Sequence, residues 1–338
     1  MTQWQAFLSA QGAHIDNDGV VSDFGDPAGE LAAATDATVM TPLTHLALLS
    51  CSGDDATSFL QNQLTSDVNH LAETSAQYSS WCTHKGRMQA SFLLFRQSGT
   101  YKALLAKDIL EATQKRLQVF VLRSKVKLTD LSGTEDALGI AGSQARDALT
   151  SAGLPVPEGV METASSAAGS VICLGPERFL IVAPTAGLPA IFDALKVRAR
   201  PTGVPVWQWL DTQAGIVFIT AATKEEFVPQ MVNFDKIGAV SFRKGCYPGQ
   251  EVVARTHYLG KIKRHLYRLQ IDAKVDAGSS IFHENSAESA CGTIASIAPS
   301  PAGGFIALAV IKESEVDAEG IRIAIPGVRV LGIEPVQA

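Results

Sequence analysis

The alternation of apolar and polar residues predicts a mixed α and β protein. Apolar residues recur at helical spacing from Ala56 to Leu64 and again from Ile109 to Val121. Between these helices lie three strand-like runs separated by turn residues, YSSWCTHKG, MQASFLLFR and YKALLAK, and a fourth run, KVKLTDLS, follows the second helix. Helices beside several antiparallel strands predict an α+β layer rather than a parallel sheet with alternating helices.

The pattern changes twice further along the chain. Residues 137–200 contain strand-like runs at LGIAG, SVICLG and FLIVAP, with helical segments between and after them. From Leu259 onward six short β runs follow, separated by Gly, Ser, Pro and Asp: KRHLYRLQI, SSIFHE, CGTIASIA, FIALAVI, IRIAI and VRVLGI. This pattern is typical of a small antiparallel barrel or sandwich.

Length and composition narrow the class of protein. A chain of 338 residues favours two or three domains, and 46% hydrophobic with 18% charged residues is typical of a globular protein. There is no apolar run of about 18 residues, and the first residues lack the layout of a signal peptide. We therefore expect a cytoplasmic protein that does not cross a membrane.

The cysteines and the charges add two further expectations. The five cysteines are far apart, without a CxxC pair or a zinc-like spacing, so we expect neither a disulfide framework nor a metal held by this chain alone. The net charge is −6, but seven Lys and Arg face one Glu between Ser241 and Arg268, which gives this segment a local charge of +6. The contrast predicts a face suited to an anionic partner.

The segment RKGCYPGQEVVARTH, residues 243–257, combines unusual residue types. Pro248 suits the first turn of a helix that continues to Tyr258, which would place Cys246 near the positive end of that helix and beside Lys244. Such a position favours a reactive thiolate. The alternative is that Cys246 is a small buried packing residue, with Lys244 and Arg243 on a solvated face. The residue pattern alone leaves both interpretations open.

Three segments of the chain resemble one known family. SGDDATSFLQNQLTSDV, WCTHKGRMQASFLLFR and the long run from DTQAGIVFI through KGCYPGQEVVAR to KRHLY are similar, in that order, to the YgfZ family of folate-binding proteins. These proteins are paralogues of the glycine cleavage T-protein, an aminomethyltransferase. The resemblance covers roughly residues 40–330, and KGCYPGQE is its most specific motif.

The resemblance implies a fold and a role. The fold is a three-domain ring around a central folate channel, closed by a C-terminal antiparallel β-barrel. With the patterns above, it implies a folate-binding α+β domain at 1–130 completed by 205–258, a second α+β domain at 131–204 and the barrel at 259–338. It implies a monomer that assembles or repairs iron–sulfur clusters in client enzymes. Because one client is a tRNA methylthiotransferase, tRNA modification would be affected indirectly.

The resemblance also implies site residues. Cys246 would be the reactive thiol and the point of a transient iron–sulfur contact, and Lys244 would tune that thiol. Tetrahydrofolate or a derivative would be bound by a set of polar and aromatic residues: Lys85, Arg87, Gln213, Gln230, Asn233, Tyr247, Gln250, Glu251 and Arg255.

Two departures from the aminomethyltransferase pattern favour an accessory factor over an enzyme. The segment after Gly86 reads Arg-Met-Gln-Ala-Ser, without the carboxylates that aminomethyl transfer needs. Gln213 stands where the T-protein has a glutamate for the pterin ring, so one acceptor is retained and the other becomes a donor. Two alternatives remain, a folate-dependent one-carbon transferase with an unknown substrate and a direct tRNA-binding module using Arg243 to Arg268.

Overall fold

The computed structural model describes residues 2–260, 262–284, 289–316 and 320–337. Within these ranges the helices are α1 Gln3–Ala10, α2 Pro27–Asp36, α3 Ala56–Gln63, α4 Lys107–Val121, α5 Ala145–Ser151, α6 Leu188–Leu195, α7 Val204–Gln213 and α8 Gln250–Tyr258. The strands are β1 His14–Ile15, β2 Val21–Asp23, β3 Val39–Pro42, β4 Leu46–Ser52, β5 Ala76–Cys82, β6 Met88–Gln97, β7 Thr100–Ala106, β8 Lys127–Asp130, β9 Glu135–Ala141, β10 Thr163–Ser166, β11 Gly169–Gly175, β12 Arg178–Pro184, β13 Arg200–Pro201, β14 Arg264–Ile271, β15 Ser280–His283, β16 Gly292–Pro299, β17 Phe305–Lys312, β18 Ile321–Ile323 and β19 Val330–Pro335.

The chain divides into two compact units, each built from separate stretches of sequence. Unit 1 comprises Met1–Phe59, Asn69–Gln77 and Leu93–Trp207. Unit 2 comprises Leu60–Val68, Tyr78–Phe92 and Gln208–Ala338. The domain boundaries expected from the sequence remain a prediction.

Unit 1 contains a six-stranded sheet in the order β10-β11-β12-β9-β3-β13, antiparallel except for the last pair. Its core joins this sheet to α1, α5 and α6 through large apolar side chains such as Trp4, Leu149 and Phe192. In the same unit, β4 pairs with β7 and β8, and the apolar stripe of α4 packs against these strands. The helix predicted at Ile109 to Val121 and the strand-like runs up to Pro184 are confirmed.

The C-terminal part of unit 2 is a six-stranded antiparallel sheet in the order β18-β15-β16-β17-β14-β19. The sheet is curled, because its edge strands β18 and β19 approach one another. Alternate residues on β14 and β17, including Leu269, Ile271, Ala307 and Ala309, are fully buried inside it. All six β runs predicted from the sequence form strands, which confirms the antiparallel C-terminal sheet.

The remainder of unit 2 carries the KGCYPGQE segment between two fixed features. On one side Tyr78–Cys82 of β5 and Met88–Phe92 of β6 form a hairpin, and Met88 exchanges backbone hydrogen bonds with Glu225 and Phe227. On the other side lies α8, whose Val253 is buried. The arrangement places the segment 243–249 at the start of α8.

Helix α8 has the predicted residues but a different start. Gly249 is its N-cap, in the left-handed conformation with φ of 82°. Pro248 therefore lies before the helix and not in its first turn, which corrects the sequence prediction. The physical reason is the tight turn at Gly249, a conformation that glycine adopts without steric cost. Glu251 in the first turn and Arg255 in the last turn complement the helix dipole.

None of the helices in the described ranges is long and apolar enough to span a bilayer.

Candidate functional site

The side chain of Lys244 points inward rather than to solvent. Its ammonium donates hydrogen bonds of 2.7 Å to the carbonyl oxygens of Leu64 and Ser66. Lys244 is 9% exposed, and burial lowers its pKa to about 8, with Asp67 opposing the shift. The ammonium also lies 5.4 Å from the ring centre of Tyr247, within cation–π range. The solvated face considered from the sequence therefore does not include Lys244.

Two glycines bring the β5–β6 turn against the start of α8. A Cβ atom on Gly249 would lie 2.4 Å from the Thr83 carbonyl oxygen and 2.7 Å from Gly86 Cα. Gly86, with φ of 72°, packs in turn against Val252, whose Cβ would be 3.1 Å from a Cβ placed on the glycine. This close backbone approach explains why the motif requires glycine at position 249.

Cys246 is exposed, so it is not the buried packing residue that the sequence left open. All five cysteines lie within the described ranges, and the other four are buried. Burial raises the pKa of Cys51 and of Cys82 to about 12, which keeps those thiols protonated. Cys246 is therefore the accessible thiol of this chain.

Three of the predicted ligand-binding residues are buried polar groups near the motif. Gln230 is 2% exposed, and its Nε2 donates to the Val253 carbonyl oxygen of α8 at 2.7 Å. Asn233 has a φ of 60° and donates from Nδ2 to the Val336 carbonyl oxygen at 3.2 Å. Tyr247 is 6% exposed, and burial raises the pKa of its phenol. All three side chains are held inside unit 2.

Two atoms of this group have no protein partner. In the described part of the chain, Gln230 Oε1 and Tyr247 Oη are buried without a hydrogen bond. A buried polar atom without a partner costs about 1–3 kcal/mol, so such atoms are rare in folded proteins. An acceptor and a hydroxyl left unpaired here suit a ligand that carries both donors and acceptors.

The remaining predicted residues divide into those near the motif and one placed elsewhere. Gln250 is half-buried and donates to the Lys244 carbonyl oxygen at 3.4 Å, while Glu251 and Arg255 are exposed on α8. Lys85 and Arg87 are exposed on the β5–β6 turn that packs on α8, and Arg87 donates to the Glu226 carbonyl oxygen.

Gln213, the last of the predicted residues, is held by the C-terminal sheet. It ends α7, is exposed, and its carbonyl oxygen accepts a hydrogen bond of 2.7 Å from Arg268. Arg268 also pairs with Glu334. The structure thus brings the motif residues together through α8 and anchors Gln213 to the C-terminal sheet.

The sequence missed a buried hydroxyl network beside the Lys244 contacts. Thr65 Oγ1 lies 3.0 Å from Ser80 Oγ and donates to the Ala239 carbonyl oxygen, and Ser66 donates to Ser79 at 2.7 Å. All four side chains are fully buried. The adjacent hydroxyl pairs at 65–66 and 79–80 were the available signal. The network holds the turn after α3 against strand β5. The carbonyl groups of this turn accept the hydrogen bonds from Lys244.

The described residues contain no group of three or more His, Cys, Asp or Glu side chains placed to hold a metal ion.

Comparison with known proteins identifies the family. The model of the GCVT N-terminal domain matches residues 22–156. The tRNA-modifying protein YgfZ of Klebsiella pneumoniae is 34% identical over 236 residues, which cover 69% of this chain and 71% of that protein. The chain belongs to the YgfZ family. The YgfZ protein of Colwellia psychrerythraea is 33% identical over 69% of this chain and 71% of its own length.

A solved structure agrees on the fold. The glycine cleavage system aminomethyltransferase T of Bartonella henselae matches with a TM-score of 0.74, covering 96% of this chain and 94% of that chain. Sequence identity to that enzyme is 18%. This chain thus has the aminomethyltransferase-like fold that the motifs implied, while the low identity carries no argument about its reaction.

Proposed function

We propose that this YgfZ-family chain binds tetrahydrofolate or a derivative and acts as an accessory factor for the assembly or repair of iron–sulfur clusters in client enzymes. Through those clients it would affect tRNA modification, in keeping with the name of its relatives, tRNA-modifying protein YgfZ. The observation that carries the proposal is an exposed thiol, Cys246, next to Tyr247, whose buried hydroxyl has no partner.

The unpaired atoms fit a pterin. A pterin ring presents amide and amine N–H donors together with ring-nitrogen and carbonyl acceptors, and these complement Gln230 Oε1 and Tyr247 Oη. The cations Lys85, Arg87 and Arg255 on the turn and on α8 suit the glutamate tail of folate. Tetrahydrofolate would serve as a one-carbon carrier or as a redox-sensitive pterin. Tyr247 and Gln230 would orient its ring.

The residues after Gly86 support an accessory role. Met88 and Ala90 are buried, and Ser91 Oγ accepts a hydrogen bond of 2.8 Å from the Ile219 amide. This stretch of β6 offers no carboxylate for proton transfer to a folate nitrogen. A single accessible cysteine suits a transient contact with a client, because a stable four-iron cluster takes about four protein ligands.

A complementation experiment tests this function. A strain lacking its own YgfZ protein receives wild-type, Cys246→Ala or Ala254→Ser protein, the last being a half-buried neighbour on α8 that serves as a matched control. We expect wild type and control to restore the activity of a four-iron enzyme and the level of methylthiolated tRNA, and Cys246→Ala to fail. Full rescue by Cys246→Ala would exclude the thiol role.

Calorimetry with purified protein separates folate binding from catalysis. We expect saturable binding of tetrahydrofolate without its consumption. Turnover of methylene- or formyl-tetrahydrofolate by the protein alone would instead identify a one-carbon transferase with Cys246 as nucleophile.

A further inference from the structure

Three aromatic side chains form a compact cluster where α8 ends. The rings of Phe242 and His257 are stacked, with centroids 3.8 Å apart and planes at 14°. Tyr258 meets both rings edge-on, at 4.8 Å from His257 and 6.1 Å from Phe242. Phe242 precedes the KGCYPGQE segment and His257 follows it. The stacking of the two rings therefore brings the two ends of this part of the chain together.

The cluster remains open to solvent. Tyr258 is 65% exposed and the next residue, Leu259, is 85% exposed. His257 is exposed and Phe242 is half-buried beneath it. Aromatic rings grouped at a surface, with no described segment covering them, are typical of binding surfaces. They offer stacking faces that are already fixed by mutual contact.

Two exposed arginines lie close to the aromatic residues along the chain. Arg243 follows Phe242 in sequence, and Arg255 lies one turn before Tyr258 on α8; both are exposed. Within the described ranges neither arginine forms an ion pair, whereas Arg268 pairs with Glu334 and Lys244 is buried. The acidic residues nearby are Glu251, one turn further back, and Asp235, whose carboxyl interacts with His257. We call Phe242, Arg243, Arg255, His257 and Tyr258 the aromatic–basic surface.

We propose that the aromatic–basic surface binds single-stranded RNA. Stacking rings flanked by arginines are the combination that holds unpaired bases and their phosphates. An acidic peptide or a polyglutamate tail would use the arginines alone, because the face of an aromatic ring repels a carboxylate. Duplex RNA hides its bases and would leave the rings unused. The choice of RNA over DNA rests on the tRNA link in the proposed function. The surface shares Arg255 with the residues proposed for folate, whereas Phe242, Arg243, His257 and Tyr258 lie outside them.

Fluorescence anisotropy with labelled oligonucleotides tests the inference on the full chain. The probes are a single-stranded RNA of mixed sequence, the same sequence as DNA, and an RNA duplex. The variants are Tyr258→Ala, Tyr258→Trp and Arg243→Gln, with Leu259→Ala as a neighbouring exposed control that has no ring. Circular dichroism confirms that each variant is folded.

We expect the single-stranded RNA to bind and the duplex to bind more weakly. Tyr258→Ala should weaken binding at least about fivefold, Tyr258→Trp should retain it, and Leu259→Ala should leave it unchanged. Arg243→Gln should reduce the slope of log affinity against log salt by about 0.7.

Three results would overturn the inference: no binding of single-stranded RNA at low salt, equal binding by Tyr258→Ala, or equal binding of the duplex. Stronger binding of single-stranded DNA than RNA would overturn the choice of ligand, and displacement by polyglutamate at matched charge would identify a carboxylate-binding surface instead. Folate calorimetry and the Cys246→Ala complementation bear on the proposed function alone.

Discussion

The ammonium of Lys244 donates a hydrogen bond to the carbonyl oxygen of Leu64, a residue 180 positions earlier in the chain. The same nitrogen reaches the Ser66 carbonyl oxygen. Lys244 thereby ties the segment that carries Cys246 to the turn after α3. Its charged ammonium binds these buried carbonyl groups and does not face solvent. This contact makes Lys244 a structural residue of the motif, whatever further effect it has on the thiol.

Lys244→Met should lower the free energy of unfolding by about 1–3 kcal/mol, because two carbonyl oxygens lose a charged donor. Urea denaturation measures this change. Lys236→Met is the control, since Lys236 is exposed in the same unit and should change stability by less than about 0.5 kcal/mol. Equal stability of wild type and Lys244→Met would show that the buried ammonium contributes nothing.

The free energies of unfolding of wild type and Lys244→Met should differ more at alkaline pH. Burial lowers the pKa of Lys244 to about 8, so above this pH the folded chain has released a proton that the unfolded chain keeps until about 10.5. Between these two pKa values the contribution of Lys244 to the free energy of unfolding therefore rises with pH, by up to about 1.4 kcal/mol per pH unit. The stability difference between wild type and Lys244→Met should grow from pH 8 to pH 10. A constant difference would contradict the lowered pKa.

Gly249→Ala should be destabilising and Gly245→Ala should not. Gly249 has a φ of 82° and its added Cβ would lie 2.4 Å from a backbone oxygen, whereas nothing lies within 4 Å of a Cβ at Gly245. The left-handed conformation alone costs about 1–2 kcal/mol for a residue with a side chain. Thermal melting of the two variants makes the comparison, and similar melting temperatures would exclude the close approach at Gly249.

Native protein should be alkylated at one thiol. Cys51, Cys82, Cys173 and Cys291 are each at most 4% exposed, while Cys246 is exposed. Brief treatment with N-ethylmaleimide followed by intact mass measurement should show a single adduct, and Cys246→Ser should abolish it. Denatured protein should take up five, which confirms that all thiols are free. An adduct on native Cys246→Ser would contradict the burial of the other cysteines.

Tyr247→Phe should affect the free and the folate-bound protein differently. The buried hydroxyl has no partner, so its removal should leave the unliganded stability unchanged or raise it by about 1 kcal/mol. The rise in melting temperature on adding tetrahydrofolate should be smaller than in wild type. Tyr267→Phe, a buried tyrosine on β14, is the control. If tetrahydrofolate raised the melting temperature of Tyr247→Phe as much as that of wild type, Tyr247 would not be part of the proposed site.

Much of the local structure was accessible from sequence. The six C-terminal β runs, the helix over Ile109 to Val121 and the helix ending at Tyr258 follow from periodicity, which depends on residues close together in the chain. The start of α8 was predicted two residues too early, because Gly249 adopts a left-handed turn that packs closely beside the Thr83 carbonyl group. Periodicity carries no information on such a contact.

The site shows the same division. The sequence by itself determined the YgfZ family motif and which residue types it contains, because a motif is local and its glycines, proline and cysteine are read directly. Only the tertiary structure decided that Lys244 is buried on distant carbonyl groups while Cys246 is exposed, and that Phe242 stacks on His257. Burial and pairing depend on residues far apart in the chain, and folding alone determines which of them meet.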